Sequence, residues 1–135
     1  VAVNSGTAAL HIVFMALDLG PGDEVIVPSN TFFASAEAVS LTGATPVFVD
    51  NDSFYNIDCD QVEAAINDKT KAIIGVHLYG QPCQLDRLQQ IANKHNLHLV
   101  EDCAQAHGAK FTNKKRVGGD NISDISTFSL YPGKN

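Results

Sequence analysis

Three segments of the sequence carry residue types that could bind a charged organic molecule and react with it. Residues 4–9 (NSGTAA) place Gly6 and Thr7 where a helix is expected to begin, Asp102 ends one apolar run, and Lys134 follows another. A helix N-terminus offers unpaired N–H groups to a phosphate, and a buried carboxylate needs a cation. A lysine amine can form a Schiff base with a carbonyl carbon. These chemistries combine only if the fold brings the three segments together.

Each segment also has a simpler interpretation when it is taken alone. Residues 4–9 could form an ordinary helix cap, and Lys134 could be a solvated surface charge. Asp102 could cap a helix, bind a metal, or pair with a pyridinium nitrogen and keep that ring protonated. Phe32 and Phe33 could be core residues or could supply an aromatic surface on which a flat ring stacks. The order of elements along the chain is therefore needed to choose.

Segments with helix periodicity alternate with segments of strand character. Helices are expected at residues 8–19, at 34–41, from 58 or 60 to 66, and at 86–95. Strands are expected at 24–27, 46–49, 71–78, 97–100 and 125–130, and a hairpin at 109–112 and 116–118. The first helix is expected to end at residues 20–22 (GPG), with a left-handed glycine cap. Strands that alternate with helices of about ten residues predict an α/β fold, a mainly parallel sheet with helices on both faces.

This fold class places the reactive segments at a common edge. Ligands of such sheets bind beyond the carboxyl ends of the strands. Asp102 follows the expected strand at 97–100, and Lys134 follows the one at 125–130. The first helix would direct its N-terminus to the same edge. We therefore expect a phosphate-binding segment, a carboxylate and a lysine to face one ligand.

Composition narrows the classes of function. The 135 residues carry a formal net charge of −6, which argues against non-specific binding to nucleic acid. The short basic run at 114–116 is expected at a solvated hairpin tip. No apolar run approaches the roughly 18 residues that a membrane-spanning helix needs. The sequence contains neither a G-x-G-x-x-G fingerprint nor a Walker lysine, which argues against binding of a dinucleotide or a nucleoside triphosphate.

Cysteine and histidine positions argue against a metal site or a disulfide framework. Cys59, Cys83 and Cys103 are odd in number and far apart, which favours free thiols in a reducing cytoplasm. His95 and His98 lie on either side of an expected helix end, so we do not expect them to share a metal. His107 could face the ligand or could be structural.

Five segments in this order resemble a known enzyme family. They are residues 5–10 (SGTAAL), 27–32 (VPSNTF), 76–81 (VHLYGQ), 101–108 (EDCAQAHG) and 128–135 (FSLYPGKN). Together they resemble the DegT/DnrJ/EryC1/StrS sugar aminotransferases, which are fold-type-I enzymes of the aspartate-aminotransferase type that use pyridoxal 5′-phosphate. The resemblance spans essentially the whole chain.

The resemblance implies a role for the two reactive groups. Lys134 would hold the cofactor through a Schiff base and would then act as the acid and base that move a proton between the substrate and the cofactor. Asp102 would bind the pyridine nitrogen.

The resemblance also implies the rest of the cofactor site. Gly6, Thr7 and Ser129 would hold the phosphate. Phe32 would stack on the pyridine ring, and Gln105 would lie beside the ring hydroxyl. No metal is implied.

The reaction implied is transfer of an amino group, with glutamate as the expected donor, to a keto group of a nucleotide-linked deoxysugar. In the family pattern residues 1–135 form part of the cofactor-binding large domain. An N-terminal segment and a C-terminal small domain lie outside them, and relatives work as homodimers. We therefore expect the 135 residues alone to be inactive. The alternatives are another fold-type-I activity, such as a cysteine desulfurase or a lyase, a non-catalytic regulator of the same fold, or a binding module without the cofactor.

Overall fold

The computed structural model of the chain describes residues 1–119 and 122–134, and the described residues form a five-stranded parallel sheet. Its strands are β1 (Glu24–Pro28), β2 (Thr45–Val49), β3 (Thr70–Val76), β4 (His98–Asp102) and β5 (Ile125–Thr127). Its α-helices are α1 (Gly6–Ala16), α2 (Ala34–Ser40), α3 (Cys59–Ala65) and α4 (Leu85–His95). A short 3₁₀ turn covers Leu78–Gly80. The α/β class with a parallel sheet is confirmed.

The helices cover both faces of the sheet because strand side chains alternate between them. Val25 and Val27 of β1 pack in one apolar cluster with α1 and α2, whereas Ile26 packs in the other with α3 and α4. In β3, Ile74 belongs to the first cluster and Ile73 to the second. Each central strand therefore contributes to two cores, which explains the nearly continuous apolar runs in the sequence.

The strand order places a crevice at the carboxyl edge of the sheet. The order is β2-β1-β3-β4-β5, so the chain leaves β1 in one direction to form β2 and returns to the other side of β1 to form β3. The connections after β1 and β3 therefore diverge at the carboxyl ends of these two strands. Such a reversal is the usual ligand-binding position in open α/β sheets.

The first helix ends earlier than expected, and the predicted glycine cap was wrong. The helix ends at Ala16, and Asp18 rather than a glycine takes the left-handed conformation, with φ of 57°. The Asp18 N–H donates to the Met15 carbonyl (3.0 Å) and the Leu19 N–H donates to the Phe14 carbonyl (3.2 Å). This Schellman arrangement returns Leu19 to the core, and burial of that side chain decides where the helix stops.

Strands β3 and β5 are shorter than expected for a common reason. Their last residues, Val76 and Thr127, both pair with Asp102, the last residue of β4. Among the described residues, strand pairing with β4 ends at Asp102, so residues 77–78 and 128–130 leave the sheet. Tyr79 then adopts a left-handed conformation in the 3₁₀ turn.

The expected hairpin is present in reduced form. Lys110 and Arg116 form a single antiparallel bridge, and the Phe111 N–H donates to the Lys115 carbonyl at 2.9 Å. The basic run lies at the exposed tip, where Lys114 has φ of 68°. Asn135, the last residue of the fifth family segment, lies outside the described residues.

Candidate active site

A cavity of about 330 Å³ opens at the carboxyl edge, between the ends of β1, β3 and β4 and the N-terminus of α1. Cavities that bind small molecules typically measure about 300–1,000 Å³. All of the residues singled out as site residues from the sequence line this one cavity: Gly6, Thr7, Phe32, Asp102, Gln105, Ser129 and Lys134. The fold thus brings together residues that are up to 128 positions apart in sequence (134 − 6).

One end of the cavity is the N-terminus of α1. Ser5 caps this helix, since its hydroxyl oxygen accepts from the Ala8 N–H at 3.1 Å. Within the described part of the chain, the N–H groups of Gly6 and Thr7 have no hydrogen-bond acceptor. Ser5 therefore serves as an ordinary cap, and two further donors and the positive end of the helix dipole are left for an anion.

Gly6 allows α1 to approach the segment that follows β5. A Cβ atom on Gly6 would lie 2.8 Å from the Cβ of Ser129 and 3.3 Å from its hydroxyl oxygen. Such a contact is too close for carbon atoms, so residue 6 must lack a side chain in this arrangement. The Ser129 hydroxyl consequently lies beside the free N–H groups of α1.

Asp102 is a buried carboxylate at the end of β4, with 7% of its surface exposed. Its Oδ1 accepts from the Ala104 N–H (3.0 Å) and its Oδ2 accepts from the Ser35 hydroxyl (3.2 Å). Burial raises the pKa of Asp102, while these two hydrogen bonds and the positive charge of Lys134 oppose the rise. No helix begins directly after Asp102 in the described residues 103–119, so the helix-cap interpretation was wrong. A carboxylate in this setting is stabilised by a cation in the cavity.

Lys134 and Phe32 contact each other at the cavity. The Nζ of Lys134 lies over the Phe32 ring, 4.9 Å from its centroid, in a cation–π arrangement. Phe32 is 61% exposed and Phe33 is 70% exposed, so the interpretation of these two aromatics as core residues was wrong. Of the two, only Phe32 lines the cavity.

Gln105 connects two turns at the wall of the cavity. Its Oε1 accepts from the N–H of Tyr79 at 2.9 Å. Tyr79 belongs to the turn after β3 and Gln105 to the turn after β4. This bond fixes the position of the Gln105 side chain at the wall of the cavity that Asp102 also lines.

Sequence reasoning missed a hydroxyl pair behind Asp102. Ser35 is fully buried in the first turn of α2, and its hydroxyl lies 3.0 Å from the hydroxyl of Thr31. The available signal was a serine between Ala34 and Ala36 in a buried helix, because a buried hydroxyl requires a hydrogen-bond partner. Which residue that partner is could not be predicted from the sequence.

Sequence reasoning also missed a polar network on the other face of β4. Glu101 accepts four hydrogen bonds: from His77 Nε2 (2.9 Å), the Gly118 N–H (2.7 Å), and the hydroxyls of Ser123 (2.8 Å) and Ser126 (2.9 Å). Burial alone would raise the pKa of Glu101, but the bonds from His77, Gly118 and Ser123 lower it to about 2. The network joins the end of β3, β4, β5 and the turn before β5.

The same network brings His77, Glu101 and Cys103 close enough to suggest a metal, with one ligand atom from each lying within 4.8 Å of the others. Both ring nitrogens of His77 are already used, because Nε2 bonds Glu101 and Nδ1 accepts from the Cys83 N–H at 3.1 Å. Burial also raises the pKa of the Cys103 thiol, which disfavours the thiolate that a metal would need. Hydrogen bonding accounts for this cluster.

The other histidines in question lie away from the cavity. His95 pairs with Glu63 at 3.4 Å and His98 pairs with Asp124 at 3.5 Å, so the two do not converge on a common point. His107 does not line the cavity, and its ring packs 5.4 Å from that of Phe128. Cys59, Cys83 and Cys103 are buried and free.

The described residues form a doubly wound α/β sheet, and the crevice at its strand reversal brings together a helix N-terminus, a buried carboxylate and a lysine. This arrangement defines the class of open α/β folds that bind ligands at the carboxyl ends of their strands. The amino-acid sequence identifies the family within this class. The chain belongs to the DegT/DnrJ/EryC1/StrS aminotransferase family, whose model matches residues 1–135.

Several curated proteins are similar over nearly the whole chain. A dTDP-3-amino-3,4,6-trideoxy-alpha-D-glucose transaminase of Streptomyces venezuelae is 51% identical over 100% of the chain and 35% of its own length. A UDP-N-acetyl-3-dehydro-alpha-D-glucosamine 3-aminotransferase of Acidithiobacillus ferrooxidans is 54% identical over 97% of the chain and 35% of its own length. A pleiotropic regulatory protein of Geobacillus stearothermophilus is 48% identical over 100% of the chain and 36% of its own length.

Solved structures show the same fold. DesV of Streptomyces venezuelae, in complex with a ketimine intermediate, has a TM-score of 0.93 at 50% identity and covers 98% of this chain and 35% of its own. The sugar aminotransferase Spr1654 of Streptococcus pneumoniae, described as putative and in its PLP form, has a TM-score of 0.90 at 38% identity, covering 97% and 37%. The chain thus spans about a third of the length of the relatives it matches.

None of the helices in residues 1–119 and 122–134 combines the length and the apolar character needed to cross a membrane.

Proposed function

We propose that this chain binds pyridoxal 5′-phosphate and forms part of the large domain of an aminotransferase that acts on a keto group of a nucleotide-linked deoxysugar. The observation that carries the proposal is the convergence of Lys134, Asp102 and the N-terminus of α1 on one cavity. These groups match the three ends of the cofactor, which are an aldehyde, a pyridine nitrogen and a phosphate.

The phosphate end fits the residues present. The N–H groups of Gly6 and Thr7 and the hydroxyls of Thr7 and Ser129 would donate to the phosphate oxygens. The positive end of the α1 dipole favours the same charge. A side chain at residue 6 would fill the space beside Ser129, so the glycine fits a ligand that approaches the backbone closely.

The ring end fits as well. Asp102 would accept a hydrogen bond from a protonated ring nitrogen, and that cation would offset the cost of burying the carboxylate. Phe32 would cover one face of the ring, and Gln105 would lie beside the ring hydroxyl. The cavity is large enough for a molecule of this size.

The chemistry assigns the remaining work to Lys134. When bound, pyridoxal phosphate supplies an electron sink for the bond-breaking step. The Nζ of Lys134 would bind the cofactor covalently between turnovers. After the amino substrate has displaced it, the same Nζ would accept the proton from the substrate carbon and return it on the cofactor side. Asp102 would keep the ring nitrogen protonated throughout.

The substrate and the assembly are proposed from the relatives. Two of the curated relatives are named as transaminases of dTDP- and UDP-linked sugars, which supports a nucleotide-linked keto-sugar as acceptor. We propose glutamate as the amino donor. We also propose that the complete protein adds a preceding segment and a C-terminal small domain and works as a homodimer. Buried free thiols fit a reducing compartment.

The test is cofactor uptake by the complete protein. Wild-type protein is expected to show the absorbance of a lysine-bound cofactor, and Lys134→Ala and Lys134→Arg are expected to lose it. Lys69→Ala, which changes an exposed lysine outside the cavity, serves as the control. An unchanged spectrum in Lys134→Ala would refute the assignment of this residue. Transfer from glutamate to a panel of nucleotide keto-sugars, read by mass spectrometry, identifies the substrate.

One observation favours a second candidate, a regulator of the same fold, because a 48% identical relative is named a pleiotropic regulatory protein. A regulator could bind the cofactor without turnover. A half-reaction with glutamate separates the two, since an aminotransferase converts the bound cofactor to its amine form and releases 2-oxoglutarate. Replacing glutamate with cysteine in the same assay tests for a desulfurase.

A further inference from the structure

We propose that Ser35 is a positioning residue of the cofactor site and fixes the orientation of the Asp102 carboxylate through a hydroxyl chain from Thr31 to Ser35 to Asp102. The inference rests on the proposed function and deepens it. Ser35 itself does not line the cavity, so it would act through Asp102.

The direction of the chain follows from the donors available. An ionised Asp102 carries no proton, so the 3.2 Å contact between the Ser35 hydroxyl and Asp102 Oδ2 requires Ser35 to donate. Ser35 has a single hydroxyl proton and spends it on this bond. In the 3.0 Å contact with Thr31, therefore, Thr31 is the donor and Ser35 is the acceptor. The hydroxyl chain from Thr31 to Ser35 points its donors toward Asp102 and stabilises the negative charge of that carboxylate.

Two donors from different elements fix the carboxylate. The Ala104 N–H holds Oδ1 from the turn after β4, and Ser35 holds Oδ2 from α2. The terminal torsion of an aspartate is otherwise soft, so a single donor would leave the carboxylate free to rotate. With both oxygens held, the remaining lone pairs keep a constant direction toward the cavity.

The hydroxyl chain also links the part of the site proposed to cover the ring face to the part proposed to bind the ring nitrogen. Thr31 and Phe32 are neighbours in the segment between β1 and α2, and Ser35 lies one helical turn further on. Phe32, which is proposed to cover the ring face, and Ser35, which holds Asp102, therefore move with the same short segment. A shift of this segment would displace both contacts together.

The electrostatic effect has a definite sign. Burial raises the pKa of Asp102, and the bond from Ser35 opposes that rise, together with Ala104, Lys134 and His77. Without the Ser35 hydroxyl the pKa would rise further, so Asp102 would lose its charge at a higher pH as the solution is acidified. Because cofactor binding is proposed to need the ionised Asp102 carboxylate, a variant that lacks the Ser35 hydroxyl would release the cofactor at a higher pH than wild type does.

The experiment compares Ser35→Ala with Ser40→Ala in the complete protein. Both serines lie in α2, but among the residues that the structure describes the Ser40 hydroxyl bonds only to the Ala36 carbonyl of its own helix, at 3.2 Å. Ser35→Ala is expected to bind pyridoxal phosphate about 10-fold more weakly, as for loss of a hydrogen bond to a charged group. It is also expected to release the cofactor at a higher pH. Thr31→Val should give a smaller loss, since it removes only the outer donor.

The melting temperature of the cofactor-free protein separates positioning from folding. Alanine favours helix more than serine does, so Ser35→Ala is expected to melt close to wild type. If Ser35→Ala binds the cofactor with wild-type affinity and releases it at the same pH as wild type, the inference about Ser35 is overturned, while the proposed function stands. An equal loss in Ser40→Ala, or a loss of affinity that follows a lower melting temperature, would also overturn it. Failure of the wild-type protein to bind the cofactor would instead refute the proposed function.

Discussion

At the scale of single residues, the tightest constraint in the cavity is the contact between Gly6 and Ser129. The start of α1, which carries Gly6, and the segment after β5, which carries Ser129, meet at a distance that leaves no room for a Cβ atom on residue 6. Any side chain there must push α1 away from the segment that carries Ser129 and Lys134. The proposed phosphate site is formed by both segments, so it is sensitive to this separation.

We therefore expect Gly6→Ala to weaken pyridoxal phosphate binding roughly 10- to 100-fold, the usual size of an overpacking penalty. Fluorescence titration of the complete protein measures the effect, and inorganic phosphate as competitor reports on the anion end alone. Gly20→Ala is the matched control, because a Cβ atom on Gly20 meets nothing within 4 Å. Equal affinities of the two variants would contradict the close-contact argument.

The residues that could be predicted at this scale are those whose position follows from the strand they end or the helix they begin. Gly6, Asp102 and Lys134 are of this kind. Ser35 could not be assigned, because its function depends on Asp102, which lies 67 positions away in the sequence. A motif shows the type of a residue but not the contact that long-range packing will give it.

At the scale of elements, the end of β4 carries two carboxylates with separate functions. Asp102 lines the cavity, whereas its neighbour Glu101 accepts hydrogen bonds from His77 directly after β3, from Ser126 of β5, and from Gly118 and Ser123 in the segment before β5. Side chains of consecutive strand residues point to opposite faces, which separates the two groups. Glu101 therefore holds together the strands between which Asp102 is presented.

The pKa of Glu101 gives a pH prediction. Because the pKa in the folded protein is about 2, below the ordinary value of 4.5, Glu101 stabilises the fold above pH 4.5. This contribution is lost as the pH falls toward 2. Glu101→Gln should remove this pH dependence, which amounts to on the order of 3 kcal/mol.

Denaturant unfolding of the complete protein between pH 2 and 7 measures the difference. Glu63→Gln is a suitable control, since Glu63 pairs with Lys94 and His95 at the exposed surface, where solvent screens such pairs. A free energy of unfolding that depends on pH equally in Glu101→Gln and in wild type would contradict the assignment.

The order and type of the elements could be predicted, but their ends could not. Apolar residues continue past Val76 and Thr127, so the sequence pattern predicts longer strands. The strands stop where β4 stops, which is a property of the neighbour rather than of their own residues. The end of α1 at Ala16 likewise reflects burial of Leu19 and not a glycine signal.

At the scale of the whole molecule, large apolar and aromatic side chains are exposed close to the cavity. Phe32, Phe33, Tyr79, Leu130 and Tyr131 all present most of their surface to solvent. Large apolar side chains exposed to this extent around a cavity are usually covered by further chain or by a second subunit. The observation is consistent with the proposal of a larger, homodimeric protein.

We expect the 135-residue chain alone to show no transamination, even with added pyridoxal phosphate. The groups proposed to bind the cofactor are present, but Phe32 and Tyr131, which line the cavity, are mostly exposed, so water can enter it. A glutamate half-reaction and the fluorescence of a hydrophobic dye are the measurements, with the complete protein as the reference. Turnover by the short chain would refute the expectation.

The adjacency of Glu101 and Asp102 has a consequence for insertions and deletions in β4. A slip of one residue in strand register moves every side chain of the strand to the opposite face of the sheet. A slip in one direction would place Glu101 at the position of Asp102 but Val100 at the position of Glu101, and the opposite slip would place Asp102 at the position of Glu101 but Cys103 in the cavity. Either slip therefore leaves one of the two sites without its carboxylate. Mutations that change the length of this strand by one residue should therefore be eliminated by selection, whereas changes in the exposed hairpin that follows should be tolerated.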